Sequence, residues 1–413
     1  MRLMSTPIAL GLTLVSLVGC GLPATMNASV APRSTGGQQF DPMQFRADGV
    51  SRTQVLVSFR KAMTRQDLER FEARTRLQVK RTLPALQAAV VTVGASPEET
   101  VARLRQDAAV ARAEVDRAVL ADEVVVNDPK RGDQYALDKV NANRAWDVTR
   151  GSEQVVIGIV DSGVDLAHPD LKAKLLPGYS SVEPGKLPKD DMGHGTHVAG
   201  IAAASTDNGE GVAGLASNCK ILPVRVLGAR AGSAATIAEG LIWAADHGAD
   251  VVNMSLGFYD ENETVAKAVQ YALSKNVVLV ATMGNNNLEK KRYPAAYPGV
   301  IAVGSSDRAD NKSTFSNFGA WMSVSAPGTE ILSTFPTYPV AIQGPAKYAV
   351  LSGTSMAAPL VAGLCGLVRS KNPGMAPAAV KQVLETSAVD LGESGADKNF
   401  GNGRIDAFAA LSR

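Results

Sequence analysis

The sequence predicts two folds in one chain: a small α+β unit, then an α/β unit on a mostly parallel central sheet with helices on both faces. Three observations carry this. Beyond residue 123, short β-branched apolar runs recur, each bounded by turn residues. Gly- and Ala-rich helical stretches lie between them. Unbroken apolar runs imply strands buried on both sides, which a parallel sheet wrapped by helices provides. Before residue 123 the strand-like segments alternate apolar and polar, as in a half-buried sheet.

At the N-terminus, Arg2 precedes an uncharged run over residues 6–19. The run is shorter than the ~20 residues a membrane span needs and suits the apolar region of a signal peptide. It closes with Leu17-Val18-Gly19-Cys20. Two readings are open: a lipobox in which Cys20 is lipidated and becomes the mature N-terminus, which is favoured, or an ordinary signal peptide in which Cys20 is incidental. The lipidated form would hold the chain to a membrane through several acyl chains. Residues 21–50 are rich in Ala, Ser, Thr, Gly and Pro, which predicts a flexible linker.

Residues 51–122 form the small unit. Alternation over 54–59 predicts a strand. Thr64 caps a helix over 64–76, with Asp67 in its first turn. A strand follows over 88–93 and ends at Gly94. Ser96 and Pro97 open a second helix as N-cap and first helical residue. A last strand covers 109–120. The order strand, helix, strands, helix, strand is the ferredoxin-like one.

Residues 123–413 form the second unit. Strands are expected over 155–160, 221–226, 251–255 and 277–281, with helices over 234–247 and 263–275. With 42 basic against 40 acidic residues, the charge balance predicts no nucleic-acid groove. Three cysteines are too few for a disulfide scaffold. Cys219 and Cys365 either pair in an oxidising compartment or are two buried thiols; the second reading is favoured.

Three motifs carry chemistry. Val160-Asp161-Ser162-Gly163 follows a buried strand, where parallel sheets place their sites. Gly193-His194-Gly195-Thr196-His197-Val198-Ala199-Gly200 sets a histidine at the start of a small-residue helix. Ser352-Gly353-Thr354-Ser355-Met356-Ala357-Ala358-Pro359 sets a serine at the mouth of an apolar helix running to about residue 369. A serine hydroxyl needs a base near neutral pKa, and the base needs a carboxylate to orient it. Asn285, after a further buried strand, and the Ser355 amide are candidate donors to a tetrahedral oxyanion. Among the remaining groups, His197 reads as structural, His168 and His247 as turn and helix-end residues, and Asp165 as a loop acid. The run Glu289-Lys290-Lys291-Arg292 reads as a solvent-facing basic patch.

These motifs, in the order Asp, His, Ser, resemble the subtilase family and within it thermitase-like members. The match covers nearly all of 123–413, including Asn127-Asp128-Pro129, Asn253-Met254-Ser255-Leu256-Gly257 and Gly403-Arg404-Ile405-Asp406-Ala407. Residues 51–121 are similar in pattern to the family's inhibitory propeptide. The resemblance implies a subtilisin-like fold and a secreted, monomeric serine endopeptidase made as a self-processing zymogen. It implies Asp161 as orienter, His194 as general base then acid, Ser355 as nucleophile and Asn285 as oxyanion donor. Ser255, Leu256 and Gly257 would pair with extended polypeptide substrate, with Gly228 and Gly232 on the opposite edge and Gly284 beside the pocket. Phe258 departs from the family's usual glycine; an apolar preference is expected beside it. One structural calcium ion is implied, with side chains of Asp128, Asp170 and Asn208 and carbonyls of Ser205, Glu210 and Val212. A second site over 180–189 is expected to be lost, since Gly185, Leu187 and Lys189 replace ligands. Self-cleavage is expected between about 120 and 127, with Leu120-Ala121 the favoured bond. Two other classes compete: a catalytically silent surface binding module, disfavoured by the complete triad, and an ester or lipid hydrolase, disfavoured by the motif order.

Overall fold

The computed structural model describes residues 50–94, 96–117 and 126–413. The expected signal peptide with Cys20, the linker up to 49 and the Leu120-Ala121 bond lie outside the described residues. The chain divides into two compact units, Met1–Ala121 and Asp122–Arg413.

The first unit runs β1 (Val50–Phe59), α1 (Arg65–Thr75), β2 (Gln78–Leu83), β3 (Ala88–Thr92), α2 (Pro97–Leu104) and β4 (Val110–Arg117). Its sheet has the order β2-β3-β1-β4 with antiparallel neighbours throughout. Thr64 caps α1 in a reciprocal capping box with Asp67, and Ser96 caps α2 with Pro97 next to it. Alternate residues Val55, Val57 and Phe59 of β1 face a core shared with Phe71, Val101 and Leu104 from the helices. That alternation is what the sequence shows as period two.

The second unit begins with two short helices, α3 (Tyr135–Lys139) and α4 (Ala142–Val148), before β5 (Val156–Asp161) and β6 (Tyr179–Ser180). Then come α5 (His194–Ala203), β7 (Lys220–Arg225), α6 (Ala234–Asp246), β8 (Val251–Met254), α7 (Glu263–Ser274) and β9 (Val278–Thr282). β10 (Ile301–Ser306), β11 (Val324–Pro327), β12 (Ile331–Phe335) and β13 (Lys347–Leu351) precede α8 (Thr354–Lys371), α9 (Pro377–Ser387) and α10 (Ala407–Leu411).

Seven strands form one sheet of order β11-β10-β9-β8-β5-β7-β6, and every pairing is parallel. β12 and β13 make a separate antiparallel ribbon. Successive residues of the central strands enter opposite cores. Ile157, Ile159, Val251, Val278 and Val280 pack with α5 and α8 on one face. Val160, Val252, Met254, Leu279 and Ala281 pack with α6 and α7 on the other. A strand buried on both sides needs apolar residues at every position, hence the unbroken runs.

The chain turns outward from β5 in both directions, to β7 and to β8. Such a switch point opens a crevice at the carboxyl ends of the strands. Among the described residues, no helix is long and apolar enough to cross a membrane.

Candidate active site

Asp161 is the last residue of β5 and His194 the first of α5. Asp161 is fully buried, and His194 Nδ1 lies 2.8 Å from its Oδ1. The same oxygen accepts the Ser162 amide at 2.7 Å, so the carboxylate cannot swing away. With its proton on Nδ1, the imidazole keeps Nε2 as an acceptor. Burial disfavours charge on His194. The charge of Asp161 and its hydrogen bond, with Asp190 further off, outweigh this and raise the pKa above 6.5.

The contact depends on a close approach. A Cβ at Gly195 would lie 2.1 Å from the Gly163 carbonyl, so only glycine lets α5 sit against the end of β5. Asp190 builds the turn into the helix. Its Oδ1 accepts Ser162 Oγ, Met192 N and Gly193 N, and its Oδ2 accepts the amide and hydroxyl of Thr196. Sequence reasoning missed this residue. Its signal was an acid a few residues before a small-residue helix, where Asp caps backbone donors.

Ser355 sits in the first turn of α8, where backbone N–H groups have no partner within the helix. Its hydroxyl donates to the Ser255 carbonyl at 3.3 Å, and Ser255 Oγ donates to the Ser355 carbonyl at 2.8 Å. The hydroxyl therefore points to the Ser255 backbone and must rotate to meet His194. Such bonds often tighten only when substrate is bound. Asn285 follows β9. Its Oδ1 accepts the amide of Thr354 at 2.9 Å and its hydroxyl at 2.7 Å. That fixes the side-chain amide and leaves Nδ2 to donate outward. Thr354, quoted in the motif but given no role from sequence, is thus what aims Asn285.

An open cleft of about 510 Å³ lies between Ser255, Leu256 and Gly257 on one side and the turn from Leu227 to Gly232 on the other. The turn is closed by Gly228 N donating to Ala231 O at 2.9 Å and by a bridge between Leu227 and Gly232. Phe258 leans on Tyr293, with ring centroids 6.4 Å apart, and their backbones bond both ways.

The basic run departs from its sequence reading. Lys290 and Lys291 are exposed, whereas Arg292 is only partly exposed and folds inward between Gly257 and Gly284. Its Nη2 donates to the Gly257 carbonyl at 3.0 Å. The slot expected to be apolar beside Phe258 therefore holds a guanidinium.

The six residues expected around calcium converge. Asp128 accepts the amides of Asp207 and Asn208. Asp170 accepts Asn208 Nδ2 at 3.0 Å and Val212 N at 3.0 Å, and its carbonyl accepts Ser205 N. The carbonyl of Ser205 and the Glu210 backbone belong to the same loop. Of the other groups, His197 is buried, bonds the Ala349 carbonyl and has its pKa pushed down to about 3 by burial. His168 bonds the Lys347 carbonyl, His247 caps the end of α6, and Asp165 accepts both donors of Thr337. Cys219 and Cys365 are both free and buried.

A parallel sheet with a buried Asp–His couple at its carboxyl edge defines an α/β serine hydrolase in which histidine acts as base. The chain belongs to the subtilase family, whose pattern matches residues 152–403. Residues 51–116 match the fervidolysin N-terminal prodomain. The chain is 44% identical over 283 residues to a thermophilic serine proteinase of Bacillus sp. (strain AK1), covering 68% of each. It is 42% identical over 287 residues to thermitase of Thermoactinomyces vulgaris, covering 69% of this chain and 98% of that one. Fervidolysin from Fervidobacterium pennivorans, a keratinolytic enzyme related to subtilisin, superposes with a TM-score of 0.63 at 27% identity, over 89% of this chain and 62% of the other. The chain is a secreted subtilisin-like serine endopeptidase with an N-terminal prodomain.

Proposed function

We propose that Asp161, His194, Ser355 and Asn285 are the catalytic groups, and the 2.8 Å bond between His194 and buried Asp161 carries this reading. Ser355 Oγ attacks the scissile carbonyl as His194 Nε2 takes its proton. Asn285 Nδ2 and the Ser355 amide receive the oxyanion. His194 then protonates the leaving amine, and water resolves the acyl-enzyme by the same path. Ser255, Leu256 and Gly257 pair with the substrate backbone on one side, and the Gly228 to Gly232 turn holds it on the other.

The N-terminal unit is a ferredoxin-like propeptide that inhibits the enzyme until it is cut away. The split order β2-β3-β1-β4 with two crossover helices supports this. Release near residues 120–127 frees the mature enzyme, a monomer. If Cys20 is lipidated, the same cut also frees it from the membrane.

A calcium ion would be held by Asp128, Asp170 and Asn208 with the carbonyls of Ser205, Glu210 and Val212. The fit rests on two buried carboxylates that meet at Asn208 with no ion-pair partner among the described residues. Burial pushes the Asp170 pKa up, a cost a cation would offset. No group of three or more His, Cys, Asp or Glu placed to hold a metal ion exists among the described residues, so amide and carbonyl oxygens must complete the set. Such an oxygen-only shell suits calcium and would join 128, 170 and the 205–212 loop.

Intact mass of the wild type and of Ser355→Ala, each incubated in calcium, tests the reading. Loss of the first 120–127 residues in the wild type alone is expected. Two full-length species would favour the silent binding module.

A further inference from the structure

The substrate edge holds a half-buried cation with no counter-ion among the described residues. Arg292 is flanked by two backbone segments that approach it too closely for a side chain. A Cβ at Gly257 would lie 2.7 Å from its Nε, and one at Gly284 would lie 2.7 Å from its Nη1. Gly257 ends the edge that pairs with substrate, and Gly284 directly precedes the oxyanion donor Asn285. The guanidinium thus lies between the segments that follow β8 and β9, which flank the attacked carbonyl in the proposed mechanism. The side chain of the residue donating that carbonyl, here called P1, must enter the same slot.

Its bonding is incomplete. Arg292 Nε is buried and has no hydrogen-bond partner among the described residues. Nη2 spends one bond on a neutral carbonyl. Tyr259 adds a second neutral neighbour, its side chain within hydrogen-bonding reach and its ring centroid 5.8 Å from Cζ. No carboxylate pairs with Arg292 among the described residues; Glu289, its neighbour in sequence, pairs with Lys398 instead. The residues lining the cleft include Arg292 and Arg230 and not one acid. A planar fork of donors that is always charged matches a carboxylate in two-point geometry. Its Nε is shut off from water without an anion beside it, and a ligand that supplies one recovers part of that cost.

We propose that Arg292 makes this protease select an acidic P1 residue, Glu or Asp, by pairing with its carboxylate in the slot between Gly257 and Gly284. The inference rests on the serine endopeptidase reading and adds its substrate class. It also relocates the self-cleavage. The junction contains Asp122-Glu123, so the enzyme cuts after one of these acids and not after Leu120.

Mature wild-type enzyme is assayed on peptides that differ only at P1, carrying Glu, Asp, Gln, Leu or Ala. A charge-assisted pair predicts kcat/KM for Glu or Asp at least about tenfold above Gln and Leu. Arg292→Ala removes the preference for acid over Gln and raises cleavage after Leu. Sequencing the self-processed wild type gives Glu123 or Val124 as first residue. Equal or better cleavage after Leu or Ala by the wild type overturns the proposal without any variant, as does a mature chain beginning at Ala121. Labelling by a serine-directed fluorophosphonate separates the two levels. A protein that labels at Ser355 but prefers apolar P1 refutes only the role of Arg292. One that neither labels nor cuts any peptide refutes the endopeptidase reading as well.

Discussion

At the scale of single residues, the site turns on how Asp161 shifts His194. The histidine's folded-state pKa lies above 6.5, its ordinary value. Its pairing with Asp161 stabilises the fold fully below that ordinary value and is lost as pH rises through the folded pKa. Catalysis runs the other way, because only neutral His194 accepts the serine proton. The acidic limb of the kcat/KM profile is therefore expected above pH 6.5. Asp161→Asn should move that limb down while cutting kcat roughly 10⁴-fold, the order of the loss when the orienting Asp of a Ser-His-Asp triad becomes Asn. A limb unmoved by this substitution would mean that some other group titrates. The motifs around Asp161, His194, Ser355 and Asn285 stand out in the sequence, because each lies at or just past the end of a buried strand or in the first turn of a small-residue helix. Arg292 was not. A run of four charged residues reads as a wet surface, and nothing local shows that its last member folds between two distant glycines.

At the scale of elements, α5 is placed by contacts that forbid side chains. Gly195 meets the Gly163 carbonyl, and a Cβ at Gly200 would lie 2.2 Å from Thr334 Oγ1 on β12. Gly195→Ala should push the helix off β5 and lengthen the His194–Asp161 contact. The expected outcome is a loss of kcat/KM by at least about a hundredfold, as a displacement near 1 Å costs. Steady-state kinetics beside a thermal melt would separate this from general unfolding. Four strands of the main sheet, β5, β7, β8 and β9, were legible to within a residue or two, since burial on both faces leaves an unbroken apolar signature; β6, β10 and β11 were not read. The ribbon of β12 and β13 was not read. Its pattern is mixed, because one side supports α5 and the other is partly exposed, as Val350 shows. Asp190 also escaped notice, since its five bonds go to groups that only the folded turn collects.

At the scale of the whole molecule, the second unit is tied by the loops around Asp128 and Asp170. If calcium fills that site, a chelator should lower the melting temperature of the mature enzyme. Calcium at a hundredfold over its Kd would contribute about 2.7 kcal/mol. Asp170→Asn should remove most of the difference between the two conditions. A melting temperature indifferent to chelator would exclude the ion. The division into prodomain and peptidase was visible as a change from alternating to continuous apolar runs, which reflects a one-sided sheet giving way to a two-sided one.

The two buried thiols, Cys219 and Cys365, have a consequence for the lifetime of the enzyme. Burial pushes both pKa values up, that of Cys365 to about 12, so the folded chain offers an alkylating reagent almost no thiolate. Modification must wait until the fold opens. In mature enzyme sealed at Ser355 by a fluorophosphonate, an inert form that cannot digest itself, the alkylation rate at high reagent concentration would clock those openings directly. The same openings expose an active copy to its neighbours. The tempo of labelling in the inert form thus measures how fast the active enzyme can consume itself through openings that reach its core.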